Sequence, residues 1–229
     1  YIFSFSLTFT IMSIHTPTLL DKFILFEGGN DGLSYVHFAH LISDNIINNN
    51  FLLAFQGGEN AYDLMPWYRY IWVLNYVLFN ESPWLPILTV SLFPVIIYSL
   101  ILNLLGKKWS IILLIVWFFI PIFESFGFFH LYYSKLAVRG FAEPLSYLCF
   151  LTATLLICKM INKKKLVMNK NNSYQVSFFI GLLYALSIGI RANVALGVLV
   201  LLIFFNIMLI YNKKWKQLFI LLLGFLPIS

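Results

Sequence analysis

Residues 83–105 read PWLPILTVSLFPVIIYSLILNLL, and no charged side chain interrupts them. A helix needs ~20 apolar residues to cross the hydrocarbon core of a bilayer, and this run is long enough. It stops at Gly106-Lys107-Lys108. Outward from it, further apolar runs cover 109–124, 138–158, 174–190 and 192–211, and shorter ones cover 1–14 and 217–229. Backbone polar groups in hydrocarbon must be satisfied within the segment, so these runs are predicted helices. The expected fold is all-α: a polytopic transmembrane bundle of seven helices forming a single domain over 1–229. Pro94 and Pro121 fall inside two runs and are expected to kink them. The chain opens and closes within apolar runs and reads as a fragment truncated at both ends, with no signal-peptide pattern.

Composition agrees. The chain is 61% hydrophobic and 10% charged, with mean hydropathy +0.86, against roughly 25% charged residues in a soluble domain. A soluble globular protein, a disordered chain and a nucleic-acid module are excluded. Cys149 and Cys158 share one apolar run and read as lipid-buried thiols rather than a disulfide frame.

The charges sort by connection. Lys107, Lys108, Lys159, Lys163, Lys164, Lys165, Lys170, Lys213, Lys214 and Lys216 occupy alternate connections that hold no acid. The other connections hold Lys22, Arg69, Lys135, Arg139 and Arg191 with all nine acids. The positive-inside rule assigns the lysine-rich side to the cytoplasm and the acid-bearing side to the exterior.

The outer segment 15–82 is far longer than an ordinary helix connection. Two interfacial helices are predicted in it. One runs from Asp31 to Asn45, with Leu33, Phe38, Leu41 and Ile42 on one side and His37, His40 and Asp44 on the other. Asp31 follows Gly28-Gly29-Asn30 and is placed to cap it. The other begins near Ala61 or Pro66 and runs to Phe79, with Gly57-Gly58 marking the break. Metal ligation by His37, His40 and Asp44 is the weaker reading of that face, and a polar face turned to water the stronger.

Several ionisable residues gather on this side. Asp31 reads either as a cap or as a general base at the membrane surface. Glu59, Asp63 and Arg69 lie close together, and Arg69 between Tyr68 and Tyr70 suits a phosphate or a sugar ring. Arg139 and Glu143, four apart, are expected to share a helix face, as a self-satisfied pair or as functional groups. Lys135 and Arg191 complete the set. Carboxylates for proton transfer beside cations that hold a phosphate suit a transferase acting on a lipid-linked substrate. A cavity beside Asp31, lined by Arg69 and Arg139, is then expected.

The stretch Gly28-Gly29-Asn30-Asp31-Gly32-Leu33-Ser34-Tyr35, the segment from Gly58-Glu59 to Met65-Pro66-Trp67-Tyr68-Arg69-Tyr70, and Arg139-Gly140-Phe141-Ala142-Glu143-Pro144-Leu145 resemble motifs of the GT-C superfamily of membrane glycosyltransferases. They look most like bacterial members that use polyprenyl-phosphate sugars. The resemblance implies transfer of a sugar from a polyisoprenyl-phosphate donor to a hydroxyl of a glycan, lipid or protein acceptor, with inversion, on the outer face of a bacterial inner membrane. It implies Asp31 as base and Glu59 or Asp63 orienting acceptor or sugar. Arg69, Lys135, Arg139 and Arg191 are candidates for the donor phosphate by charge and sidedness. Asn30 stands where many members carry a second acid, which favours a mechanism without a cofactor or divalent metal. Two other classes compete: a transporter or flippase of lipid-linked saccharide, which predicts mid-membrane ionisable groups, and a non-catalytic membrane subunit or an acyltransferase-like enzyme, the latter calling for a catalytic histidine deep in a span.

Overall fold

A computed structural model describes residues 1–21, 30–57, 66–80, 82–123, 127–162 and 170–226. The fold is all-α, as the apolar runs require. Its helices are α1 (Ile2–His15), α2 (Thr18–Asp21), α3 (Asn30–Ile47), α4 (Phe51–Phe55), α5 (Pro66–Phe79), α6 (Trp84–Val90), α7 (Phe93–Leu104), α8 (Lys107–Phe119), α9 (Phe129–Val138), α10 (Glu143–Asn162), α11 (Lys170–Ile190), α12 (Ala195–Tyr211) and α13 (Trp215–Phe225). Among the described residues four helical stretches are long and apolar enough to cross a membrane: Trp84–Leu104, Glu143–Asn162, Ser173–Ile190 and Ala192–Tyr211. Ile2–His15 and Trp215–Phe225 are apolar but shorter.

Three local readings are corrected. The run 109–124 does not continue as a helix. It ends at Phe119, and Pro121–Phe123 then pairs antiparallel with Gly127–Phe128. Pro121 therefore terminates a helix rather than kinking one, since it has no N–H to donate to the preceding turn. Around Pro94 the helix is interrupted at Ser91–Leu92 and restarts at Phe93, which puts the proline in a first turn, where a missing N–H costs nothing. The run 138–158 is also two elements, because α9 ends at Val138 and α10 begins at Glu143. Gly140 sits at φ +85, and the amides of Gly140 and Phe141 reach back to the carbonyls of Ala137 and Leu136. That is a Schellman cap, and it needs a residue that tolerates a left-handed backbone. Arg139 and Glu143 consequently flank a turn and do not share a helix face.

The contacts sort the chain into two compact units, Tyr1–Phe93 with Val116–Leu145, and Pro94–Ile115 with Ser146–Ser229. In the second, Ala153, Ile157, Ile180, Tyr184, Phe205 and Leu221 are among the residues of a buried core. Helices α10 and α11 are joined by a reciprocal pair: Ser146 Oγ donates to the Ser187 carbonyl and Ser187 Oγ to the Ser146 carbonyl, each at 2.9 Å. Such interhelical bonds hold apolar helices together where lipid supplies no hydrophobic drive. Helices α11 and α13 cross backbone to backbone. A Cβ on Gly181 would stand 2.1 Å from the Leu221 carbonyl oxygen, and one on Gly224 2.2 Å from that of Phe178. Gly181→Ala is expected to destabilise this unit by about 2 kcal/mol, read as a fall in thermal midpoint in detergent. An unchanged midpoint would show that the two helices can separate freely. Cys149 is buried and Cys158 half-buried, both as free thiols.

In the first unit a directed hydrogen-bond chain links three helices and the break at Ser91. The Trp117 indole can only donate, so His130 Nδ1 accepts from it at 3.0 Å. Its Nε2 then carries the proton and donates to Thr8 Oγ1 at 2.9 Å. Thr8 donates to the Ser4 carbonyl, and Ser4 Oγ to that of Ser91. A lone histidine such as His130 carries no signal in a sequence, and its partners become visible only in the fold. Helix α9 lies outside the four long apolar helices, and burial holds the imidazole down at about 4. Between about pH 6.5 and 4 the unfolded chain therefore binds a proton that the folded one refuses. Stability is expected to fall as pH drops through that window, by roughly 3 kcal/mol in total. Denaturation midpoints against pH check this, with His130→Gln expected to flatten the slope.

Candidate functional site

Three sequence motifs meet in the first unit. Helix α3 starts at Asn30, so Asp31 lies in its first turn rather than at the cap position. The Asp31 side chain lies outside the described residues, as do Glu59 and Asp63. Its neighbour Gly32 is buried, and a Cβ added there would stand 2.1 Å from the Arg139 carbonyl oxygen. One added to Gly140 would lie 2.8 Å from the Gly32 Cα. The two motifs thus touch through bare backbone, which only glycine permits on both sides.

Helix α5 supplies the third. Tyr68, Arg69 and Tyr70 each bind a different neighbour. The Tyr68 hydroxyl donates to the Phe141 carbonyl at 2.7 Å, and its ring meets Tyr35 of α3 edge-on at 4.7 Å. Burial, with the nearby charges of Tyr35 and Glu143 acting in the same direction, pushes the phenol well above its ordinary range, so it stays a donor. Arg69 is fully buried. Its Nη1 donates to the Gly57 carbonyl at 2.9 Å, and its guanidinium lies 3.8 Å from the Phe38 ring centroid. The Tyr70 hydroxyl donates to the Phe55 carbonyl at 2.6 Å.

Arg69 and Tyr70, read as an open cradle for phosphate or sugar, thus make these contacts with the protein itself. Lys135, in the last turn of α9, and Arg139, at its C-cap, are half-exposed, as is Glu143 at the start of α10. Arg191 belongs to the second unit, at the N-terminal edge of a 3-10 turn, Ala192–Val194. On α3, His37 and Asp44 are exposed, while His40 packs edge-on against Tyr76 at 4.5 Å. Among the described residues no group of three His, Cys, Asp or Glu side chains is placed to hold a metal ion.

A shallow pocket, open to its surroundings, adjoins the cluster. Tyr68, Trp72, Asn75, Leu85, Phe141 and Pro144 are among its walls, which are mostly apolar. Arg69 and Arg139, expected to line such a cavity, do not line this one. Sequence reading passed over Tyr68, Trp72 and Gly32 as partners of this turn. The available signal was an aromatic spacing of four, Tyr68 and Trp72, which sets both rings on one face of α5.

The described fold defines the chain as an all-α integral membrane protein. Set beside known protein families, curated proteins and solved structures, the chain matches none of them.

Proposed function

We propose that the chain is part of a membrane glycosyltransferase that moves a sugar from a polyisoprenyl-phosphate donor to an acceptor hydroxyl on the face opposite the lysine-rich connections. One observation supports this most: the acidic first-loop motif, the α5 aromatic motif and the 139–144 turn, far apart in sequence, pack on one another around Gly32 and Gly140.

In this reading Asp31 takes the acceptor proton. The acceptor oxygen bonds to the sugar's anomeric carbon, the bond to the donor phosphate oxygen breaks, and inversion results. The negative charge left on the lipid phosphate is met by Lys135 and Arg139, which among the described residues of this unit are half-exposed cations. Glu59 or Asp63 orients the acceptor or the sugar. Arg69 acts as a strut that positions α5. The apolar cavity by Tyr68 and Phe141 offers the greasy donor a surface next to its reacting end.

The test is a transfer assay with radiolabelled polyprenyl-phosphate sugars and the full-length protein in proteoliposomes. Label moving to an acceptor, with release of lipid phosphate, supports the reading. Label crossing the bilayer still attached to its lipid would favour a flippase.

A further inference from the structure

Helices α3 and α4 are joined by a tight turn, Asn48-Asn49-Asn50. Asn49 is left-handed at φ 59, and the amides of Asn49 and Asn50 cap α3 by returning to the carbonyls of Ile46 and Asn45. Apolar side chains stand out on both sides of this turn. Ile46 and Ile47 precede it, and Phe51, Leu52 and Leu53 follow, with Ile47 75% and Leu52 74% exposed. From Asn45 to Gly57 the sequence has no charged residue. A turn built for water would place charge here, as Asp44 does one turn earlier on α3.

The location of the turn argues for what covers it. Tyr70 and Arg69 bond α4 and Gly57 to the start of α5. At the other end of α5, Asn75 Nδ2 donates to the carbonyls of Asn80 and Ser82, and Asn75 Oδ1 accepts from the Leu85 amide in the first turn of the long apolar stretch Trp84–Leu104. The tip is therefore wired through one helix to the place where the chain enters the membrane. Leu74, Val77 and Leu78, spaced i, i+3, i+4, keep a face of α5 apolar and exposed.

We infer that the α3–α4 turn dips into the headgroup–acyl boundary of the bilayer, so that α4, not only the two longer helices of this segment, is a membrane-contact element. Its occupant is lipid. An interfacial segment of this kind buries its apolar side about 5–10 Å into the boundary. The amides of Asn48, Asn49 and Asn50 bond to carbonyls of α3, and the first-turn amides of α4 would meet headgroup oxygens and water at the depth of the boundary. This inference does not depend on the glycosyltransferase reading.

The experiment uses the whole chain in lipid nanodiscs, with Cys149→Ala and Cys158→Ala as background. Nitroxides are attached to Ile47→Cys, Leu52→Cys and, as an aqueous reference, Asp44→Cys. At positions 47 and 52 collision with dissolved oxygen should exceed collision with a water-soluble nickel chelate, and at 44 the order should reverse. Nickel access at 47 and 52 equal to that at 44 overturns the inference. Exclusion of both reagents overturns it too, because a second copy or another part of the protein then covers the turn. Phe51→Trp in the native-cysteine chain gives an independent reading: lipids brominated near the carbonyl end should quench it beyond the parent, and no added quenching counts against lipid contact.

Discussion

Gly32→Val is expected to abolish transfer by the full-length protein and to lower the thermal midpoint of the first unit. A Cβ at this position would sit 2.1 Å from the Arg139 carbonyl oxygen and 3.4 Å from the Gly140 Cα. Both obstacles are backbone, so no rotamer change relieves them. Either α3 moves off the 139–144 turn or the Schellman cap at Gly140 opens. Overpacking of this kind costs about 1–3 kcal/mol where side chains can yield, and more where they cannot. Valine also lowers helix propensity modestly, which is a minor part of the effect. Gly197→Ala is the control: that glycine is also helical, and a Cβ there meets nothing nearer than 3.5 Å. It should leave the midpoint unchanged or raised. If Gly32→Val matched it, the contact between the two motifs would carry no weight.

Asp31→Asn is the second large effect. A positioned general base contributes on the order of 10²–10⁴ in rate, and asparagine cannot accept the acceptor's proton. The turnover number should fall by about that factor while the midpoint moves little, since loss of a charge beside the helix dipole costs only about 0.3–1 kcal/mol. Turnover at wild-type level would remove Asp31 from the chemistry. A collapse of stability in step with activity would assign it to holding the helix instead. The pair Gly32→Val and Asp31→Asn thus separates the geometry of the site from its proton transfer.

Hydrophobic pattern made the helices legible, because burial in lipid demands long uncharged runs and Trp84–Leu104 has one. What the pattern hid was local. Arg139-Gly140 and Pro121 lie inside apolar runs, so hydropathy reads through them, whereas a left-handed glycine and a proline end helices for backbone reasons. The stripe that α3 buries is Gly32, Tyr35, Ala39, Ile42 and Ser43, so of the apolar side expected from the sequence only Ile42 is fully buried, while Leu33, Phe38 and Leu41 are half-buried. The motifs at 28–35, 66–70 and 139–145 were visible as separate segments. Their meeting was not, since it depends on two glycines that look ordinary in sequence. Arg69 looked like a ligand because it is a cation beside tyrosines, but a buried guanidinium that caps a carbonyl and stacks on Phe38 has the same sequence signature.

The most direct test of the account is the side of the membrane on which α3 stands. His37 on α3 and Lys213 in the α12–α13 turn are both exposed, so cysteines at either position are reachable by a thiol reagent. With Cys149 and Cys158 replaced, intact cells are treated with a membrane-impermeant maleimide. Labelling of His37→Cys in intact cells, with Lys213→Cys labelled only after permeabilisation, is the predicted result. The opposite pattern would put the acidic motif on the lysine side and contradict the proposed donor site.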